Sequence, residues 1–259
     1  MLHYRMKIKF LGTGGALGVP IWNCECKTCT SDNPKNKRFR SVLLVEINGK
    51  NIVIDFGQDF AMQLRQNGIK KIDYAFLTHA HMDHFAGKEQ FSVADNCIIE
   101  MPQDVLDRFL DKANPEWILK RNPSISIRPF VPREIEGVFV DTVKLMHQMD
   151  YGKCEHVPCY GYVFRSSDFS FAYCTDFNEI LESHKLKDLD LLILEGCGWE
   201  VKGGHAGVKG SLEIYKHLKP RKCILTHINH STEHDEIVEF LSPYPDVVPA
   251  YDGMEFMHS

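Results

Sequence analysis

The run Thr78-His79-Ala80-His81-Met82-Asp83-His84 places three imidazoles and a carboxylate within six residues, in a chain that has only 13 histidines among its 259 residues. Imidazole suits zinc, manganese and iron, and its mixture with carboxylate is the donor chemistry of hydrolytic centres that hold two metals. A second cluster, Cys24-Glu25-Cys26-Lys27-Thr28-Cys29, offers three thiols at C-x-C-x-x-C spacing, close enough to wrap one tetrahedral ion. Its missing fourth donor is expected to be His230, three residues after His227. A closed Cys3His set suits one structural Zn2+, because no position is left open for substrate. Such a clip would tie a loop at about residues 20–40 to the strand end that carries His227. Three reduced structural cysteines are the plainer alternative.

These residues need a rigid edge to stand on. The apolar stretch Ile72–Leu77 reads as a strand that ends at the histidine loop. Lys7–Gly12 alternates and breaks at Gly14-Gly15, and Ser41–Ile47 and Asn51–Asp55 flank a hairpin signal at Asn48-Gly49. Further strands are expected at Val138–Met146, Gly161–Thr175, Leu189–Leu194, Cys223–Thr226 and Val247–Met257. Helices are expected at Asp59–Asn67, Gln103–Asp111, Ser211–Leu218 and Thr232–Leu241. There is no repeat, low-complexity run or linker, so residues 1–259 read as one domain.

Composition narrows the setting. A hydrophobic content of 44% suits a sizeable core. The net charge of −5 provides no basic field for nucleic acid. No run of 18 apolar residues predicts a membrane span, and the N-terminus lacks the apolar core of a signal peptide. With nine cysteines and no secretion signal, reduced thiols and metal binding are favoured over disulfides, and a cytoplasmic setting is expected.

The pattern H-x-H-x-D-H at His79–His84 resembles the signature of the metallo-β-lactamase fold superfamily, and the resemblance runs from the first strand to Tyr251-Asp252-Gly253. It implies an α/β architecture, an αββα four-layer sandwich with two metals along the common edge of the sheets. The family pattern assigns His79 and His81 to one ion, Asp83 and His84 to the other, Asp176 as the bridging carboxylate and His227 as the last ligand of the second. The third histidine of the first ion is His147 or His156, the segment 148–155 between them reading as an insertion. Asp59 resembles a position that supports the ligands, and a helix N-cap is its alternative. Two divalent ions about 3.5–4 Å apart can hold a hydroxide between them. They do not supply a proton to the departing alkoxide. In phosphodiesterase branches of the superfamily a non-ligand histidine stands where His205 does, 22 positions before His227, and the resemblance makes His205 and Asp83 the catalytic candidates.

The run Gly12-Thr13-Gly14-Gly15 through Val19-Pro20-Ile21-Trp22-Asn23-Cys24 to Cys29 is similar to the phosphodiesterase branch of the carbon–phosphorus lyase pathway, which opens a phosphoribosyl cyclic phosphate. The pyrroloquinoline quinone biosynthesis protein B shares the cysteine run but has an altered dinuclear motif. The expectation is a hydrolase of a small, cyclic or linear phosphodiester, with two catalytic ions (Mn2+ or Zn2+, with Ni2+ and Fe2+ also suited) and a homodimer as its form of self-association. The alternatives are a ribonuclease Z-like tRNA 3′-processing endonuclease, a thioester or lactam hydrolase, and a non-catalytic biosynthetic accessory protein. The segment 148–155 and the hairpin at Ser166-Ser167-Asp168 depart from the phosphonate enzyme. The basic stretch Lys35–Arg40 reads as a solvated loop or a phosphate contact.

Overall fold

A computed structural model of the chain describes residues 6–150 and 154–258. Two sheets face each other. The first is built from β1 (Met6–Gly12), β2 (Val42–Ile47), β3 (Lys50–Ile54), β4 (Tyr74–Phe76), β5 (Ile98–Met101) and β6 (Ser126–Pro129). The second is built from β7 (Arg133–Ile135), β8 (Val138–Asp150), β9 (Cys154–Arg165), β10 (Ser170–Tyr173), β11 (Glu179–Ile180), β12 (Leu191–Glu195), β13 (Lys222–Thr226) and β14 (Val247–Pro249). The last strand, β15 (Glu255–His258), returns to pair with β1 at the edge of the first sheet. Helices α1 (Phe60–Gln66), α2 (Met82–Phe85), α3 (Gln103–Ala113) and α4 (Glu116–Arg121) accompany the first sheet, and α5 (Gly207–Leu218) and α6 (His234–Leu241) the second.

The layering follows from the two-residue period of the strands. In β2, Leu43, Val45 and Ile47 join the core between the sheets, whereas Val42 and Leu44 face the core under α1 and α3. In β12, Leu191 and Ile193 point inward, and Leu192 and Leu194 pack under α5 and α6. A strand buried on both faces lies within a helix–sheet–sheet–helix stack, so the protein has the expected metallo-β-lactamase fold. No helix among the described residues is long and apolar enough to cross a membrane.

Several boundaries move. The hairpin at Asn48-Gly49 forms with both residues at positive φ, 46° and 84°, as a two-residue turn between twisted strands requires. The span Gly161–Thr175 is two strands joined by a turn in which the Ser166 hydroxyl accepts from Phe169 N, so the connection at Ser166–Phe169 is short. Val247–Met257 divides into β14 and β15. The last helix starts at His234 because Glu233 caps it, its carboxylate accepting from Asp235 N and Glu236 N. β8 does not stop at Met146. It continues to Asp150, paired with β9, so the described part of the segment 148–155 extends this pairing, and residues 151–153 lie outside the described residues.

Candidate dinuclear metal centre

The histidine loop follows β4, and its parallel neighbour β3 ends at Ile54 opposite Phe76. That register sets Asp55 beside Thr78. The fully buried Asp55 carboxylate accepts from Thr78 N at 2.9 Å, from the Thr78 hydroxyl at 3.0 Å and from His84 Nδ1 at 2.8 Å. The Thr78 hydroxyl lies 3.0 Å from His79 Nδ1, which donates to it. One carboxylate thereby orients two imidazoles and leaves both Nε2 atoms facing the cleft. Asp55, Asp176 and His227 all have left-handed backbones, with φ of 67°, 59° and 52°. Side chains rarely adopt that conformation, and here it turns strand ends toward a single point. Gly57 allows α2 to approach, since a Cβ there would lie 2.0 Å from Asp83 O.

Two donor groups meet at this edge. His79 Nε2 lies 2.9 Å from His81 Nδ1, and His147 Nε2 lies 3.4 Å from the same atom. His147 Nδ1 donates to Gly204 O at 3.0 Å, which leaves Nε2 as the free donor. Burial, together with the neighbouring histidines, pushes His79 well below the ordinary range and His81 down to about 4; burial also lowers His147. All three are neutral donors. His156 is exposed and paired with Gln148 one step along the hairpin, so β-strand alternation brings His147 to the centre and leaves His156 out.

In the second group, His84 Nε2 lies 3.2 Å from Asp83 Oδ2 and 3.3 Å from Asp176 Oδ2. His227 Nε2 lies 3.4 Å from Asp176 Oδ1 and 3.7 Å from Asp83 Oδ2. His84 Nε2, Asp176 Oδ2 and both ring nitrogens of His227 are buried without a hydrogen-bond partner. Buried polar atoms seldom stay unpaired. Convergent, unpaired nitrogen and oxygen donors fit a pair of divalent cations, and a set without sulfur suits manganese, zinc, nickel or iron alike.

His205 stands over this group, its ring stacked on His227 at 5.4 Å. Lys202 and His205 exchange backbone hydrogen bonds around Gly203-Gly204, whose φ values of 60° and 92° make glycine the residue for both corners. The same turn presents Gly204 O to His147. His205 Nδ1 donates to Glu195 Oε2 at 2.6 Å, and Asp176 Oδ1 is 3.8 Å away. Burial would lower His205, but Glu195, Cys197 and Asp176 outweigh it and push its pKa up to about 12. That surrounding favours the imidazolium form, aimed by a buried carboxylate. The cleft, about 370 Å³, is also lined by Ala16, Met82, Arg108, Lys112 and Cys197.

At the N-terminal loop, Cys24 Sγ and Cys26 Sγ lie 3.4 and 3.5 Å from His230 Nδ1, and the donor atoms of Cys24, Cys26, Cys29 and His230 all fall within 4.8 Å of one another. The Cys26 thiol is lowered to about 6, chiefly by the Cys29 backbone N–H, against burial. A thiolate there with two further sulfurs and an imidazole nitrogen fits tetrahedral zinc.

Asp59 stands at the N-cap position of α1, as one of its two expected roles had it, but its carboxylate is used elsewhere. Its side chain makes no cap hydrogen bond and instead accepts from Arg40 N and from the Arg40 guanidinium at 3.0 Å. The support is Asp55, and the partner of His205 is Glu195, neither singled out in the sequence. A signal existed in both cases, since each is a carboxylate at the buried apolar end of a strand, after Ile52–Ile54 in β3 and Leu191–Leu194 in β12. In the basic stretch, Arg38 is buried, donating to Thr13 Oγ1 and Ala250 O, so only part of that loop is solvated.

Comparison with known proteins places the chain in context. A family model described as Beta-lactamase superfamily domain matches residues 50–228. An octanoyltransferase from Porphyromonas gingivalis is 27% identical over 96% of this chain and 51% of that protein, so the chain spans about half of that relative's length. A ribonuclease Z from Borreliella burgdorferi is 25% identical over 69% of this chain and 54% of its own. The crystal structure of a new diphosphatase from the PhnP family is similar with a TM-score of 0.84 and 28% identity, covering 99% of this chain and 98% of that one.

Proposed function

The chain belongs to the beta-lactamase superfamily, and from that premise we propose that it is a dinuclear metal-dependent phosphodiesterase acting on a small, cyclic or linear phosphodiester. The observation that carries the reading is the Glu195–His205 pair beside the convergent histidines and carboxylates. His79, His81 and His147 would hold one ion, Asp83, His84 and His227 the other, and Asp176 would lie between both. Ions held there supply Lewis acidity and a strong nucleophile drawn from water at neutral pH. The remaining steps fall to the chain's own groups. Arg108 and Lys112 on α3 give the cleft of an acidic protein a cationic wall that attracts a phosphodiester. Glu195 fixes the ring of His205 and keeps it protonated, and His205 gives that proton to the leaving oxygen. The dyad then recovers a proton from solvent through the open cleft.

The same reading treats Cys24, Cys26, Cys29 and His230 as a structural zinc clip, and its reduced thiols fit a cytoplasmic setting. The core shared by both sheets supports a single folding unit. The deciding experiment is hydrolysis of bis(p-nitrophenyl) phosphate by protein stripped of metal and reloaded with manganese or zinc, beside the monoester and a tRNA precursor. Strong metal-dependent turnover of the diester supports the reading. No turnover with full metal content refutes it, and cleavage of the precursor alone moves the chain to tRNA processing.

A further inference from the structure

We propose that Cys197, His205 and His227 form a further cation site, selective for soft divalent ions such as cadmium or excess zinc, whose occupation shuts the cleft down reversibly. The inhibitory part of the proposal rests on the role given to His205 above; the binding part does not. Cys197 Sγ and a ring nitrogen of each histidine lie within 4.8 Å of one another. Their meeting follows from the sheet. Glu195 pairs with Thr226 in the parallel β12–β13 ladder, so the residues just past each strand end, Cys197 and His227, emerge side by side. The sulfur is held in place by Asn229, whose Nδ2 donates to it at 3.4 Å. Gly198, at φ 81°, turns the chain back directly after it.

The donor set differs from both other centres. The catalytic pair offers only nitrogen and oxygen, which manganese accepts as readily as zinc, whereas a thiolate with imidazole favours zinc and cadmium over manganese. The clip at Cys24, Cys26, Cys29 and His230 is closed by four donors. The Cys197 group offers three and lines an open cleft with a half-buried thiol, so its ion can exchange. Occupation conflicts with catalysis in two ways. A cation on His205 takes the nitrogen lone pair that must carry the transferable proton, and His227 cannot serve two ions at once. Glu195 stays behind as an outer partner to the imidazole, as carboxylates commonly are around metal-bound histidine.

The test uses full-length protein with its clip filled by zinc and its catalytic pair by manganese, titrated with cadmium. Metal content is read after gel filtration, thiolate-to-cadmium absorption in the ultraviolet, and diester hydrolysis relative to each protein's own cadmium-free rate. The wild type should take up one further cadmium, keep its zinc and release at most the one manganese that shares His227, gain the absorption band and slow by about tenfold or more. Cys197→Ala and Cys197→Ser should keep the zinc and manganese, bind one cadmium fewer, lack the added band and resist cadmium to about tenfold higher concentration. Loss of manganese from the variants would make Cys197 a member of the catalytic pair, and equal cadmium sensitivity would place inhibition elsewhere; either result overturns the proposal. If the wild type hydrolyses no diester, the phosphodiesterase reading fails while the cadmium stoichiometry still decides whether the site exists.

Discussion

Replacing His205 by alanine tests the proton-donor role most directly, because the size of the effect should depend on the leaving group. His205 is held by a 2.6 Å contact to a carboxylate with no solvent exposure, and its side chain is only 16% exposed. A proton fixed in this way matters when the departing oxygen is a basic alkoxide and hardly matters for p-nitrophenolate, which leaves as the anion. For an alkyl diester, H205A should cost 10²–10⁴-fold in kcat, roughly 3–5 kcal/mol of barrier at about 1.4 kcal/mol per decade. For bis(p-nitrophenyl) phosphate the loss should be about tenfold or less. Glu195→Gln is the matching perturbation. The amide has the shape of the carboxylate, yet it cannot accept from both His205 Nδ1 and Ala206 N, which Glu195 now does. It should reproduce most of the rate loss and add roughly 1–3 kcal/mol of instability from one unpaired buried group. Two groups acting as a unit do not lose twice, so E195Q/H205A should be no slower than H205A. Stopped or spectrophotometric assays on both esters, with metal content measured alongside, decide the matter. Equal losses on both esters, or loss of metal in H205A, would refute the donor assignment.

Other consequences are open to measurement. Cys26→Ser should remove one zinc and lower the unfolding midpoint while the catalytic pair stays loaded; simultaneous loss of every metal by mass spectrometry would show that the two centres are not separable. Asp55→Asn keeps its shape but weakens the carboxylate hold on His84 and Thr78, so affinity for the catalytic metals should fall about 10–100-fold in chelator competition. An unchanged affinity would remove Asp55 from the support of the centre. His234, buried beside Arg38 and Lys35, is depressed to about 4 by burial first and by those cations second, with Asp235 and Glu233 opposing. Between its ordinary pKa near 6.5 and that value the unfolded chain binds a proton which the folded chain refuses. Stability should therefore drop as pH falls from about 6.5 to 4, and His234→Gln should flatten that part of a Tm–pH profile.

The structure also separates carboxylates that look alike in the sequence. Asp55 and Asp59 sit four residues apart near one strand end, yet only Asp55 reaches the histidines. Its position is set by the pairing of Ile54 with Phe76, which brings it level with Thr78. Asp59 lies at the N-cap of α1 and meets Arg40 instead, tying the loop after β1 to α1. The choice between His147 and His156 likewise turns on which strand of a hairpin, and which face of that strand, looks at the cleft.

Local features of this chain were legible from its residues. Donor types and spacing in His79–His84 and Cys24–Cys29, the alternation of β1 and the glycine turn at Asn48-Gly49 are short-range properties, and the chain needs no distant partner to express them. The metallo-β-lactamase layering was implied by the family resemblance that the histidine motif carries. What only the tertiary structure decided were the pairings across long sequence separation. Asp55 meets His84 from 29 residues away, and Cys24 meets His230 from 206. Glu195 reaches His205 through a turn whose two glycines hold the geometry, and Cys197 reaches His227 because β12 and β13 run parallel in one register. Spacing along a chain restricts neighbours within a few residues, whereas the hydrogen-bond register of a sheet selects which strand ends share an edge, and that edge is where the chemistry is assembled.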